Sequence, residues 1–378
     1  MDKIEIYIDE LLEKSTPDRP IWNIEKILQG LKSTWNYIDG CMIKAILEMY
    51  AITKDEKYFR FADNFIDCKV REDGSIEGYS VEELNIDNVN AGKTLFELYD
   101  LTGKEKYRKA IDLVYSQIEQ MPRTAEGNFW HKNIYPNQVW LDGLYMCQPF
   151  YMEYETRFHE KKNYDDIFRQ FFNVVEHMRD PKTGLYYHAY DSSREMFWCD
   201  KVTGLSQNFW LRALGWYSMA LLDTLDKADA SVGEPYERLK KVFVDLMDAM
   251  LKYQDASGMW YQVVNFGGME KNYLETSGSS IMAYALLKGV RLGFLPENYQ
   301  TYGAKAFHGI CEKYLSEDAD GSLHLDGICL VAGLGGKQMR SGTYDYYMSE
   351  PVVKDDAKGV GPFLLASVSY THLRAHET

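Results

Sequence analysis

Two kinds of helical segment alternate along this chain, and they differ in where their apolar residues fall. In "TKDEKYFRFADNFIDC" and "TGKEKYRKAIDLVYSQI" the apolar positions recur on one face only, and "KKNYDDIFRQFFNVVEHM", "EPYERLKKVFVDLMDAML" and "PENYQTYGAKAFHGICEKYL" repeat that pattern. Between them lie "WNYIDGCMIKAI", "LNIDNVNAGKTL", "VWLDGLYMCQPF", "FWLRALGWYSMAL", "NYLETSGSSIMAYAL" and "YYMSEPVVKDDAKGVGPFLLA", which run from an aromatic or polar start into small and apolar residues on every face. Helices apolar all round must be buried, and one-faced helices can cover them. The initial "IEIYIDELLEKS" supplies a sixth covering helix for the last inner one. Strand-like alternation is confined to short pieces such as "GLYYHAYD" and "GMWYQVVNF", which read as loop hairpins. The pattern predicts an all-α fold, an (α/α)6 barrel with small residues letting the inner helices crowd around the axis. An open α-solenoid is also built from helix pairs. The inner segments are too apolar to line an open solvated groove, so the closed ring is the expected arrangement.

Aligning the inner segments puts Asp39, Asp87, Asp142, Arg212, Glu275 and Glu350 at one equivalent position, with Tyr37, Asn85, Trp140, Trp210, Tyr273 and Met348 two residues before. The repeat is irregular, roughly 50 to 75 residues, longer than most solenoid units. In a closed ring this position opens into one mouth, so five acids and an arginine would surround a funnel walled by Tyr37, Trp140, Trp210, Trp216 and Tyr273. Aromatic walls with a few convergent polar groups suit sugar rings, whose CH faces stack and whose hydroxyls need partners. A second reading stands beside this one for Asp39, Glu275 and Glu350, since acids also cap helix N-termini. Asp142 fits capping less well. Val139, Trp140, Leu141, Leu144, Tyr145 and Met146 crowd it, and burying an unpaired carboxylate is costly.

Composition narrows the function. The chain has 378 residues, 46% hydrophobic and 14% aromatic, with no linker-like or low-complexity tract, and reads as one large domain over residues 1–367. A net charge of -15 argues against nucleic acid as a partner and leaves any anion site to a few local cations. No segment approaches a membrane span, and the charged start "MDKIEIYIDELLEKS" does not resemble a signal peptide. The six cysteines are scattered, with no CxxC and no histidine at ligand spacing, so no metal site is expected and a reducing, cytoplasmic setting is. "VSYTHLRAHET", residues 368–378, is what one frame of a common transposase sequencing adapter encodes. It is expected to be read-through that replaces the native C-terminus.

Several side chains near the inner-helix starts could act on a carboxylate-bearing sugar. His131 and Lys132 precede the third inner segment, and His188 lies in "GLYYHAYD". Arg212 is flanked by Trp210 and Trp216, and an arginine in so apolar a helix start is expensive unless it meets an anion, from a ligand or from a ring carboxylate. "GLGGK" at 333–337 has neither Walker spacing nor a strand-to-helix setting and reads as a loop.

"WHKNIYPNQVWLDGLYM", "NFWLRALGWYSMAL", "YLETSGSSIMAYAL" and "YYMSEPVVKDDAKGVGPFLLA" resemble the unsaturated rhamnogalacturonyl hydrolases of glycoside hydrolase family 105, and more distantly the unsaturated glucuronyl hydrolases of family 88. The likeness runs from about Trp35 to Ser367. It implies an (α/α)6 barrel that removes a terminal Δ4,5-unsaturated uronic acid from small oligosaccharides left by polysaccharide lyases, with no cofactor. It places the general acid/base at Asp142 and a second, assisting aspartate at Asp87. Its sugar and carboxylate contacts correspond to Tyr37, His131, Lys132, His188, Trp210, Arg212 and Trp216. Burial among Trp140, Leu141 and Tyr145 is expected to favour the protonated form of Asp142, against the pull of the helix N-terminus. Family 88 activity on glycosaminoglycan fragments, an inverting glycosidase on saturated sugars, and a barrel that binds sugars without turnover are the competing expectations.

Overall fold

The computed structural model describes residues 2–376, and within them twelve helices form two concentric rings. The outer helices are α1 (Asp2–Glu13), α3 (Glu56–Asp67), α5 (Glu105–Gln120), α7 (Tyr164–Met178), α9 (Glu234–Leu251) and α11 (Tyr299–Tyr314). The inner helices are α2 (Tyr37–Thr53), α4 (Lys93–Thr102), α6 (Leu141–Phe158), α8 (Leu211–Lys227), α10 (Thr276–Arg291) and α12 (Ala357–His376). Each inner helix, or for α4 the 3-10 turn that leads into it, packs on the next, and α12 packs on α2, which closes the barrel. The crowding depends on small residues: a Cβ on Gly278 of α10 would come within 2.3 Å of Leu211 at the start of α8. The first helix takes the sixth outer place. Asp9 of α1 pairs with Lys57 on α3 at 2.8 Å, Lys3 with Glu317 beyond α11 at 3.3 Å, and Tyr7 donates to Asp355 ahead of α12 at 2.7 Å.

Three local expectations change. The second inner helix does not begin at Asp87: Ile86–Gly92 is a 3-10 turn, and the α-helix starts only at Lys93. Asn and Asp compete for backbone hydrogen bonds and favour such turns, and Asn90 donates instead to Tyr37 O at 3.0 Å. Glu350 is not the sixth member of the charge series. It ends a short helix (Tyr344–Ser349), and Val352–Val353 then pairs with Ile328–Cys329 before α12 begins. The acid at the start of α12 is Asp356, whose Oδ1 accepts from Lys358 N at 2.9 Å. Finally, "GLYYHAYD" turns back locally only at its start, where Tyr186 bridges Arg179. Its strand β2 (Ala189–Asp191) pairs antiparallel with β1 (Gln138–Trp140), which runs straight into α6. "GMWYQVVNF" makes isolated bridges to Trp210 and Leu274 and a 3-10 turn, Val264–Phe266.

Of the tail expected to be adapter-encoded, residues 368–376 continue α12, with Val368 and Ser369 buried, while Glu377 and Thr378 lie outside the described residues, as does Met1. Among the described residues no helix is long and apolar enough to cross a membrane.

Candidate active site

A cavity of about 210 Å³ opens at the end of the ring where the inner helices start. Its wall includes eight of the nine site residues singled out above, all but His188: Tyr37, His131, Lys132, Trp210, Arg212 and Trp216 join Asp87 and Asp142 there. Trp140 is in the wall as expected, and seven further residues there were not anticipated as contacts, among them Glu25, Tyr135, Met146 and Arg340.

Asp142 is delivered by the β1–β2 pairing. Trp140 pairs with Ala189, and Leu141 N donates to His188 O at 3.1 Å, so the chain just before α6 lies against the chain carrying His188. His188 Nε2 consequently stands 3.3 Å from Asp142 Oδ2. His188 itself is fully buried and does not line the cavity; its Nδ1 meets the Tyr347 hydroxyl at 2.7 Å, and Trp210 packs on its ring at 4.7 Å. It stands behind Asp142, whereas a place at the cavity wall was expected. The aspartate makes no side-chain cap on α6, whose N-cap residue is Trp140.

Asp87 is held differently. The His131–Lys132 loop pairs with the 3-10 turn through an Asn85–Lys132 bridge and an Ile86 N–His131 O bond of 3.1 Å. This puts His131 Nε2 3.2 Å from Oδ1 of Asp87 and Lys132 Nζ 2.9 Å from Oδ2. Burial raises the Asp87 carboxyl, but Lys132 and then His131 more than offset it and hold the group well below the carboxylate range. Lys132 is correspondingly raised: burial opposes its charge and Asp87 restores it. The His131 ring lies flat on Trp140, centroids 4.7 Å apart at 6°, and Tyr135 is nearly parallel to the same indole at 5.3 Å. Gly143 permits this, since a Cβ there would come within 2.7 Å of His131 Nδ1.

Arg212 is buried, yet among the described residues no carboxylate pairs with it directly. Its guanidinium donates to the carbonyls of Cys329 and Leu330 and to Ser277 Oγ, and lies 4.8 Å from the Trp210 ring. Burial opposes its charge, while Cys329 and Glu275 nearby hold it above the ordinary arginine value. Trp216 stacks on Tyr145 at 5.1 Å. Burial first, then Glu25 and Asp87, push the Tyr37 phenol well above its usual value, so it remains a hydroxyl.

The remaining charges of the series turn away from the cavity. Asp39 accepts from Trp22 Nε1 at 3.0 Å, Asn23 Nδ2 at 3.1 Å, Asn36 Nδ2 at 2.8 Å and Ser33 Oγ. Glu275 is the N-cap of α10, accepting from Ser277 N and Gly278 N, and it also takes Cys329 N at 3.0 Å. For both, the structural role of an acid at a helix start is the one the fold uses. Tyr273, expected in the wall, is not part of it. Arg340 comes from the glycine-rich 333–337 loop region, where its Nε donates to Gly335 O at 3.2 Å.

Residues 13–374 match the family described as Glycosyl Hydrolase Family 88. A glycoside hydrolase of family 105 from C. acetobutylicum ATCC 824 superposes with a TM-score of 0.90 at 45% identity, covering 98% of this chain and 99% of that one. Protein Atu3128 of Agrobacterium fabrum is 40% identical over 229 residues, 58% of this chain and 96% of its own length. The unsaturated rhamnogalacturonyl hydrolase YesR of Bacillus subtilis is 27% identical over 294 residues, 76% of this chain and 79% of its own.

Proposed function

The chain belongs to glycosyl hydrolase family 88, among its family 105 relatives, and from that membership we propose that it removes the terminal Δ4,5-unsaturated galacturonic acid from oligosaccharides released by a rhamnogalacturonan lyase. The observation that carries this reading is the pairing of two differently held aspartates in one aromatic cavity. Asp87 is locked as an anion by Lys132 and His131, whereas among the described residues Asp142 has an ion-pair contact with His188 alone and faces the same space. At about 210 Å³ the cavity is smaller than the roughly 300–1,000 Å³ of sites that take drug-sized ligands, in keeping with the end of a short saccharide.

The substrate carries a vinyl ether between ring carbons four and five, conjugated to its carboxylate. Asp142 donates a proton to carbon four, and an oxocarbenium-like centre forms at carbon five. Water attacks that centre and gives up its proton to Asp142. The hemiketal opens, expels the neighbouring sugar and leaves a 4-deoxy-5-keto uronic acid. Because this is hydration and not displacement at the anomeric carbon, carboxylate separation does not dictate inversion or retention. Arg212 and Lys132 are the cations available to the uronate carboxylate, and Trp210, Trp216 and Trp140 supply faces for the ring. His131 orients Asp87, which assists in positioning the sugar.

Arg340 favours a second reading. A further cation at the wall suits an acidic or sulfated neighbouring sugar, as in an unsaturated glucuronyl hydrolase acting on glycosaminoglycan fragments. Loss of the near-ultraviolet absorbance of the unsaturated uronate, followed on rhamnogalacturonan, galacturonan and chondroitin disaccharides, separates the two. Fastest loss on the rhamnogalacturonan disaccharide is expected. Turnover of saturated sugars with no absorbance change on any of the three would overturn both.

A further inference from the structure

Glu25 lies outside the six-fold pattern, on the short helix Ile24–Gln29 between α1 and α2, yet it lines the same cavity as Asp142. Its place in the ring follows from its anchors. Lys358 Nζ, on α12, holds its Oε2 at 2.7 Å. Asn23, which caps the short helix, donates to Asp39 of α2 at 3.1 Å, and Trp22 donates to the same carboxylate at 3.0 Å. Glu25 therefore enters at the seam between α12 and α2. In a closed ring of six that seam lies across the axis from the seam between α6 and α8, which carry Asp142 and Arg212.

The anchoring is deeply buried. Lys358 is 1% exposed and also pairs at 3.1 Å with Asp356, which is fully buried. Among the described residues nothing hydrogen-bonds Oε1 of Glu25. A buried lysine shared between two carboxylates is weak as a stabilising device, and apolar residues of similar volume would fill the seam at no loss. What the arrangement does achieve is a fixed carboxylate in the wall of a cavity that, on the reading above, receives an anion.

We propose that Glu25 is a specificity-determining residue for the sugar next to the unsaturated uronate: its carboxylate accepts hydroxyls from a neutral sugar there and repels an acidic or sulfated one. This rests on the reading of the protein as an unsaturated uronyl hydrolase. Accepting a sugar hydroxyl on a carboxylate gives a charge-assisted bond, and a like charge at the same place is rejected without any steric change. Asp39 and Asp356, which turn away from the cavity, then act through Glu25 by setting its position.

The test compares kcat/KM for unsaturated disaccharides with rhamnose, galacturonate or sulfated N-acetylgalactosamine as the second sugar, in the wild type and in Glu25→Gln. The neutral-to-acidic selectivity ratio is expected to fall about tenfold or more in Glu25→Gln, with KM carrying most of the change. An unchanged ratio at an unchanged melting temperature overturns the proposal. Should Glu25→Gln fold poorly, the wild type supplies a second reading of the same charge. Raising salt to about 0.5 M should narrow the ratio by screening the repulsion, and a ratio indifferent to salt counts against Glu25. A wild type inert toward all three disaccharides overturns the proposed function, and this inference with it.

Discussion

His188 Nε2 stands 3.3 Å from Asp142 Oδ2 while His188 Nδ1 stands 2.7 Å from the hydroxyl of Tyr347. The three side chains form one line that ends in the cavity, and the two behind Asp142 are fully buried. The tyrosine hydroxyl keeps its proton, because burial raises it far above its usual value. It can therefore donate to Nδ1, which leaves the imidazole proton on Nε2, 3.3 Å from an Asp142 oxygen that has no hydrogen-bond partner among the described residues.

From this line, His188→Ala should lower kcat about 100-fold with KM changed little, since the histidine positions the acid without lining the cavity. Tyr347→Phe removes only the outer bond, and a loss of about 3- to 10-fold is expected. Steady-state kinetics on the unsaturated disaccharide reads both. A His188→Ala enzyme that loses affinity and keeps kcat would place the residue in direct contact with sugar instead.

Asp142→Asn should lower kcat by about 10³-fold or more while the disaccharide still binds, as general acid–base catalysis contributes on the order of 10²–10⁴. Calorimetric titration of the variant with substrate checks the binding, and the absorbance assay checks the rate. A variant that turns over at a substantial fraction of the parent rate removes Asp142 from the chemistry.

Asp87→Asn strips Lys132 and His131 of their shared partner and should destabilise the fold by about 2 kcal/mol at neutral pH. The Asp87 carboxyl sits below its ordinary value in the folded protein, so its stabilisation is present above the unfolded value of about 3.9. It is lost as pH falls through the folded value. Thermal melts should show a constant gap between parent and variant from neutral pH down to about pH 4, narrowing below that.

Lys358→Met leaves Asp356 buried without its cation, at an expected cost of about 3–5 kcal/mol. Burial already raises the Asp356 carboxyl even with Lys358 present. A raised carboxyl destabilises the fold as pH climbs through its folded value, and losing the lysine raises it further. The melting-temperature deficit of Lys358→Met should therefore be larger near pH 8 than near pH 5.

Gly143→Ala drives a methyl group into His131, whose Nδ1 would lie 2.7 Å from the new Cβ. Moving that ring disturbs both its stack on Trp140 and its contact with Asp87. A cost of about 1–3 kcal/mol in stability and a fall of about tenfold or more in kcat/KM are expected, read by melts and by the absorbance assay.

The alternation of all-round apolar and one-faced helices was enough, by itself, to determine an all-α ring, because burial acts on the local pattern of each helix and small residues permit close approach. It also marked the helix starts as the places where charge is unusual. What the pattern could not decide is which of those charges faces the cavity. Asp39 and Glu275 look like Asp142 in sequence, yet both are consumed by neighbouring donors from distant segments, Trp22 and Asn23 in one case and Cys329 in the other. Glu350 was misplaced because a strand pair, Ile328–Cys329 with Val352–Val353, intervenes before α12. His188 reaches Asp142 without lining the cavity, through the pairing of strands about fifty residues apart in sequence, Trp140 with Ala189. Glu25 and Arg340 came from connecting segments with no periodicity to read. Helix burial is written in nearest neighbours along the chain, whereas the wall of a ring's mouth is assembled from loops whose register only the closed tertiary structure sets.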